Sequence, residues 1–505
     1  MHTGKWQIQR SKNQDIIDMQ NAENTKNSAV DVGINYSRKW YVMAAVGVGT
    51  LLGTIDAGIV NIALPTLGRE FNASFSTVQW VALAYMLTVS TLTLTMGRLG
   101  DMIGKKQIYI AGMVVFTIGS MLCGISSSIY WLIGFRVFQA VGAAMSAALG
   151  TAVIIEAFPP QERGKAIGAA GAFISFGIIA GPATGGLLIQ LISWRWIFFV
   201  NIPIGIVAVT LALRFVPNIR NEKGQRFDYR GAGAVFISQL ALLLALTVGQ
   251  RIGFGNPIII ALFTTCLVFF ILFFLVELRF DHPMVDLELF KNSLLGISLL
   301  NGFISFVSLG GVVILMPFYL ENVLDYHPLQ VGLILAVLPV AAGIVSPIAG
   351  ILSDRFGTRR ITMLGLLIMV GGYFGLTTLD AQTTTLEYIL KFLPIGLGMG
   401  IFQSPNNSAI MGAAPGQRLG LVSSLLPVTR TLGNSSGIAA IGAFWVSRMA
   451  FYAGPYMNKN LARVPIPAQV NALQETFLVV ALFSTISLIV AARALFLGKR
   501  GKLGS

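Results

Sequence analysis

Apolar runs of about twenty residues, separated by short polar connections, recur from Trp40 almost to the C-terminus, and each is long enough to cross a hydrocarbon core of about 30 Å as a helix. About fourteen such spans are expected, starting near Trp40, Thr77, Ile108, Trp131, Gly164, Trp194, Gly231, Pro257, Leu294, Leu329, Ile361, Tyr388, Gly420 and Thr476. The pattern fails before Trp40. Residues 1–37 are polar and rich in Asn and Gln, with no apolar core or small-residue cleavage site, so they predict a disordered cytoplasmic tail and no signal peptide. A short tail is likewise expected at 499–505.

Composition agrees with an all-α integral membrane protein: of 505 residues 55% are hydrophobic and only 11% charged. A net charge of +14 raises the question of a nucleic-acid partner, and the distribution of the cations answers it. Arg98, Lys105 and Lys106 follow span two, Arg163 and Lys165 span four, and Arg214, Arg220, Lys223, Arg226 and Arg230 span six. Arg279 and Lys291 follow span eight, and Arg355, Arg359 and Arg360 span ten. Odd-numbered connections hold few. The bias is topological, placing the even connections and both termini in the cytoplasm, and no DNA or RNA partner follows. Cys123 and Cys266 lie within spans, where a small buried apolar role is expected, and His2, His282 and His327 have no ligand-spaced companions, so no metal site is expected.

Two stretches repeat. GRLGDMIGKK from Gly97 and GILSDRFGTRR from Gly350 share Gly, Leu, Asp and Gly at the same offsets, 253 apart; Arg163 and Arg418, in the exits of spans four and twelve, are 255 apart. Two landmarks with nearly one offset predict two six-helix halves (38–216 and 293–498) separated by two additional spans (217–292). Parallel repeats of this kind build a transport site at the interface between halves.

The two loops resemble the signature loops of the major facilitator superfamily. LGTIDAGIVNIALPTL in span one, FRVFQAVGAA in span four, GPATGG in span five and WRWIFFVNIPIG resemble its fourteen-span drug:proton antiporter branch, over about residues 40–497. The resemblance implies the major facilitator fold of fourteen helices, no enzymatic activity, no cofactor, and transport driven by the proton gradient. It implies a multi-pass protein of the cell membrane, a bacterial inner membrane, working as a monomer with protons, a small amphipathic or cationic substrate and the lipid bilayer as its partners. It assigns gating to Gly97, Asp101, Gly104 and Lys105, with Asp354 and Arg355 in the second loop, and an antiporter motif to Gly177, Gly181, Pro182, Gly185 and Gly186. Glycine-rich packing is the plainer account of that motif.

Asp56 is the sharpest chemical feature. It lies about 24 Å along a helix beginning at Trp40, where an acid must be protonated, paired or facing water. Arg136 sits at matching depth in span four, with Gln139 one turn on, and the two charges are cheaper as a pair across a cavity than apart. The resemblance assigns proton transfer to Arg136, and Asp56 and Arg136 are expected to couple proton movement. In the second half Ser308 mirrors Asp56, and Lys391, with Glu387 nearby, stands close to the counterpart of Arg136, so coupling is expected in the first half alone. Tyr85, Met86, Phe173, Phe176, Phe306, Phe402, Asn406 and Asn407 are candidates to line a substrate cavity beside Gln139. Arg430 in span thirteen matches a position of the family to which no role attaches. The expected function is a proton-coupled exporter; an exporter or flippase of an endogenous lipid or metabolite would use the same helices.

Overall fold

A computed structural model describes residues 36–159, 162–218, 229–278, 292–413, 419–458 and 460–500. Among these residues the chain is helical throughout its length. The long helices are α1 Lys39–Glu70, α2 Trp80–Ile103, α3 Lys105–Gly124, α4 Ile129–Ala157, α5 Arg163–Leu191, α6 Asn201–Phe215 and α7 Tyr229–Ile252. They continue as α8 Pro257–Glu277, α9 Ser293–Asn322, α10 Val337–Phe356, α11 Thr358–Leu376, α12 Thr385–Gly412, α13 Leu419–Ala453 and α14 Ile466–Arg500. Short turns, Phe75–Val78, Trp196–Phe199 and Pro328–Leu335, lead into α2, α6 and α10.

Thirteen of these spans are long and apolar enough to cross a membrane. The fourteenth, α13, carries Arg430, Asn434 and Ser435, and packs against α9 and α14. The helix α14 starts ten residues ahead of the apolar run at Thr476 (476 minus 466). Its first turns are amphipathic, with Ala468, Val470, Ala472 and Leu473 buried and Ile466 exposed. The N-terminal tail up to residue 35, Arg220, Lys223, Arg226, Arg279, Lys291, Arg418 and the C-terminal residues 501–505 lie outside the described residues.

The repeat is visible in the backbone. The chain reverses after α1 through Asn72 and after α9 through Asp325, both at positive φ, 253 residues apart. It passes from α2 to α3 through Gly104 (φ 127°) and from α10 to α11 through Gly357 (φ 87°), again 253 apart. A side chain at either φ is strained, which is why the two basic loops can be one residue long. The α1–α6 helices pack on one another, α9–α14 do the same, and α7 lies in the seam between α2 and α13. There the Gln239 side chain donates to Ser435 (3.2 Å) and accepts from Ser90 (3.4 Å), while Trp80 donates to Thr247 (3.1 Å). The helix α8 packs on α7 and is otherwise exposed.

The two halves meet at the end of the bundle that holds the odd-numbered connections. Arg69 pairs with Glu321 at 2.5 Å, and Phe75 sits edge-on to Phe318 and Trp445, both at 5.2 Å. The α5 helix runs against the turn leading into α10: the Leu329 amide donates to Gln190 (3.1 Å), and a Cβ on Gly186 or Gly332 would run into the carbonyl of Pro328 or Pro182. Pro182 thus stands in the seam between halves. On its other side α5 lies on α1 with glycine facing glycine, since a Cβ on Gly181 would lie 3.0 Å from the Gly58 Cα, and one on Gly185 3.1 Å from the Ile59 Cα.

Candidate functional site

Asp56 is fully buried in α1, and every side chain bonded to it donates. Arg136 reaches Oδ2 at 2.6 Å, while the amides of Gln139 and Asn201 both reach Oδ1 at 2.9 Å. The Arg136 guanidinium also donates to Gln139 Oε1 (2.6 Å) and the Val81 carbonyl (3.1 Å), and Ser120 accepts from Gln139 (2.7 Å). Five elements therefore converge on one carboxylate: α1, α2, α3, α4 and the start of α6. Both charges are at most 1% exposed. A buried ion pair holds only when its remaining hydrogen-bonding groups are satisfied, and this amide and hydroxyl shell does that. The partners suit the ionised carboxylate.

One expectation changes here. The pair was expected across a wet cavity, but neither charge lines one: they touch directly, and the cavity begins one residue layer away. That cavity, of about 310 Å³, lies among α1 to α5 of the first half and is bounded on the far side by Arg430 of α13. Its walls include Gly53, Thr54, Tyr85, Tyr109, Met113 and Phe116. It follows α1 from Val46 to Thr54, about 10 to 22 Å from the start of that helix, so Asp56 lies just beyond its deep end. Tyr85 belongs to both, lining the cavity while its ring stacks under the Arg136 guanidinium at 4.1 Å. A cation over an aromatic face is held by the ring's quadrupole, so the two sites touch physically.

Of the residues expected to line a cavity, Tyr85 does so. The Phe173 ring packs on Gly47 of α1, and Phe176 is 62% exposed. Phe402 of α12 is 1% exposed in the core, with its backbone close to Gly365 of α11, and Met86 packs against the core. Asn406 is buried and donates to the Ser298 carbonyl (3.2 Å), while Asn407 beside it is half-buried. Phe306 lies under Arg430 at 5.3 Å, behind the cavity wall. Aromatic and amide residues satisfy helix packing as readily as ligands, and composition does not separate the two.

At the even-connection end, Lys105 is buried and pairs with Glu156, and Lys39 pairs with Glu162 at 2.5 Å. The Asp101 side chain lies outside the described residues. Asp354 and Arg355 are exposed, and a Cβ on Gly97 would meet nothing within 4 Å. Lys391 reaches Glu387 one turn away (2.6 Å) and the Thr378 carbonyl (3.0 Å) on an exposed helix face. The Gly177 position abuts Thr54, a cavity wall residue.

Asn201, Ser120 and the Arg69–Glu321 clasp escaped the sequence reading. The clasp had a signal: matching Pro65 to Pro317 gives an offset of 252, which pairs Arg69 with Glu321, and residues beside a pseudo-twofold axis meet their own counterparts. Asn201 was signalled only as an amide in an apolar segment.

The sequence profile of the Major Facilitator Superfamily matches residues 46–285 and 280–438. The chain is 36% identical over 415 residues to the riboflavin transporter RibZ of Clostridioides difficile, covering 82% of this chain and 90% of that one. It is 32% identical over 434 residues to the multidrug resistance protein Stp of Mycobacterium tuberculosis, covering 86% and 80%. In fold it is similar to a bacterial homolog of the human lysosomal transporter Spinster in an inward-facing, unoccupied conformation, with a TM-score of 0.66 at 16% identity over 90% of this chain and 96% of that one. The chain belongs to the Major Facilitator Superfamily, as a multi-pass membrane transport protein, not an enzyme, with drug-efflux proteins among its relatives.

Proposed function

We propose that this transporter is a proton-coupled exporter of amphipathic compounds, driven by the proton gradient and working by alternating access in a cell membrane with its even connections and both termini in the cytoplasm. The observation that carries the reading is the contact through Tyr85 between the cavity wall and the buried Asp56–Arg136 pair. The halves close at the odd-connection end, which is the outer end in the proposed orientation, and this reading takes the arrangement as inward-facing with Asp56 paired to Arg136. Turnover then requires the outer clasp to open and Asp56 to exchange its Arg136 partner for a proton. Gly104 with Lys105 at the inner loop, and the α5 motif from Gly177 to Gly186 at the seam, are the parts that would move with the halves.

The test uses proteoliposomes with an imposed pH gradient. The wild type should accumulate an amphipathic dye while moving protons the other way. In Asp56→Asn gradient-driven accumulation should fall to background, with dye exchange down its own gradient preserved, because the amide still accepts from Arg136 but carries no proton. Gradient-driven accumulation by Asp56→Asn would exclude this carboxylate as the coupling group. A second reading, transport of an endogenous metabolite, is favoured by the relative named a riboflavin transporter; riboflavin movement without dye movement in the same vesicles would select it.

A further inference from the structure

Two arginines within spanning helices are treated in opposite ways. Arg136 is 1% exposed and bonded to a carboxylate, an amide and a carbonyl. Among the described residues Arg430 is the one charged side chain lining the cavity, and its Nε is buried with no hydrogen-bond partner among them. Its one recorded neighbour interaction is with the Phe306 ring, 5.3 Å from the guanidinium carbon, which supports a cation without neutralising it. An arginine at membrane depth normally pairs with an acid or with carbonyl groups, and one that does not marks a ligand pathway. Asp56 and Arg136 neutralise each other, so Arg430 is the charge that the described cavity wall presents.

Opposite that guanidinium the first half presents flat and polarizable surfaces, Tyr85, Tyr109, Phe116 and Met113, with Gly53 leaving open space between them. We propose that Arg430 is an anion subsite: the cavity takes a flat aromatic molecule with an acidic edge, a carboxylate or ionised phenol, its ring against the first-half aromatics and its anion on the second-half guanidinium. A rigid fork of N–H donors suits such an edge, and a ligand spanning the two would contact both halves at once. The cationic members of the expected substrate class are correspondingly disfavoured, since no acid among the described wall residues balances a second positive charge. This inference rests on taking the cavity as the substrate site, and is independent of how protons are coupled.

Equilibrium binding to the full chain in lipid nanodiscs, at zero pH gradient, tests it with two xanthene dyes of similar shape, fluorescein (an anion) and rhodamine 6G (a cation). The wild type should prefer fluorescein by about tenfold or more, Arg430→Gln should lose that preference, and Arg430→Lys should keep part of it. Arg430→Gln removes an unpaired buried charge, so its melting temperature should hold or rise. Should it not fold, the wild-type preference and Arg430→Lys decide. Gly53→Leu fills the cavity from a position where a side chain meets no atom within 4 Å, and should weaken both dyes together. A wild type that prefers rhodamine 6G or binds neither dye, or an Arg430→Gln that weakens both dyes equally, overturns the anion subsite. Unchanged binding of both dyes by Gly53→Leu places the substrate elsewhere and removes the cavity reading beneath it. Loss of proton drive in Asp56→Asn bears on neither.

Discussion

The two halves descend the membrane on the same helical plan and spend their polar residues differently. In the first, Asp56 gathers Arg136, Gln139 and Asn201 into a charged cluster in which both carboxylate oxygens are bonded. In the second, the position matched to Asp56 is Ser308, buried and bonded only to Ser484 (2.7 Å) and the Ile304 carbonyl (3.1 Å). Nearby, Ser487 donates to Asn301 (2.9 Å), another neutral pair. The matched cation, Lys391, has moved out to an exposed face. Neutral hydroxyl and amide pairs can lock helices at small cost and carry no proton, whereas an ion pair can be opened by protonating one member. Under the proposed coupling, the difference makes the first half the switch and the second the frame, with Arg430 as the frame's contribution to the cavity.

Making the frame resemble the switch should give the largest effect. Ser308→Asp places a carboxylate where the recorded partners are a serine hydroxyl, which can donate one bond, and a carbonyl, which can donate none. An unpaired acid at the centre of a spanning helix costs about 3 kcal/mol, so the variant should show a markedly lower apparent Tm in detergent and poor expression. An unchanged Tm would mean that a cation is within reach of Ser308 and that the halves are less unlike than they look.

A smaller effect is expected where the halves touch. Gly186→Ala drives a methyl group into the Pro328 carbonyl across the seam, which should cost about 1–3 kcal/mol in this conformation and favour a state in which the odd-connection end is open. Spin labels at Glu70 and His327, on exposed positions of opposite halves, should report a longer distance in Gly186→Ala than in the parent. A distance that stays the same would make the glycine a packing convenience.

Charge made the first-half cluster legible: Asp56 and Arg136 stand out in apolar runs because a charge at that depth always needs a reason. The helix plan and the repeat were legible for a similar reason, since about twenty apolar residues have few uses other than spanning. What stayed hidden depends on neighbours brought from other helices. Phe402 and Phe176 are equally aromatic on paper, yet one is buried in the core and the other is exposed. Nothing in the residue itself says which way its helix face will turn. Arg430 was visible as a charge, but that no carboxylate stands with it among the described cavity residues is something only the assembled helices reveal.

The smallest effect is expected at Lys391, and it decides whether charge alone identifies the working half. By sequence, Lys391 stands near the mirror position of Arg136, so a reading based on residue type would give it a role. In the structure it makes an i,i+4 pair with Glu387, whose side chain is 49% exposed. Such a pair on a helix surface contributes at most about 0.5 kcal/mol. Lys391→Ala should therefore leave the apparent Tm within about a degree or two and leave gradient-driven transport at wild-type rates, because Thr378, whose carbonyl it also reaches, is exposed. A loss of coupling in Lys391→Ala comparable with that in Asp56→Asn would show that the second half also moves protons, and the contrast between switch and frame would not survive it.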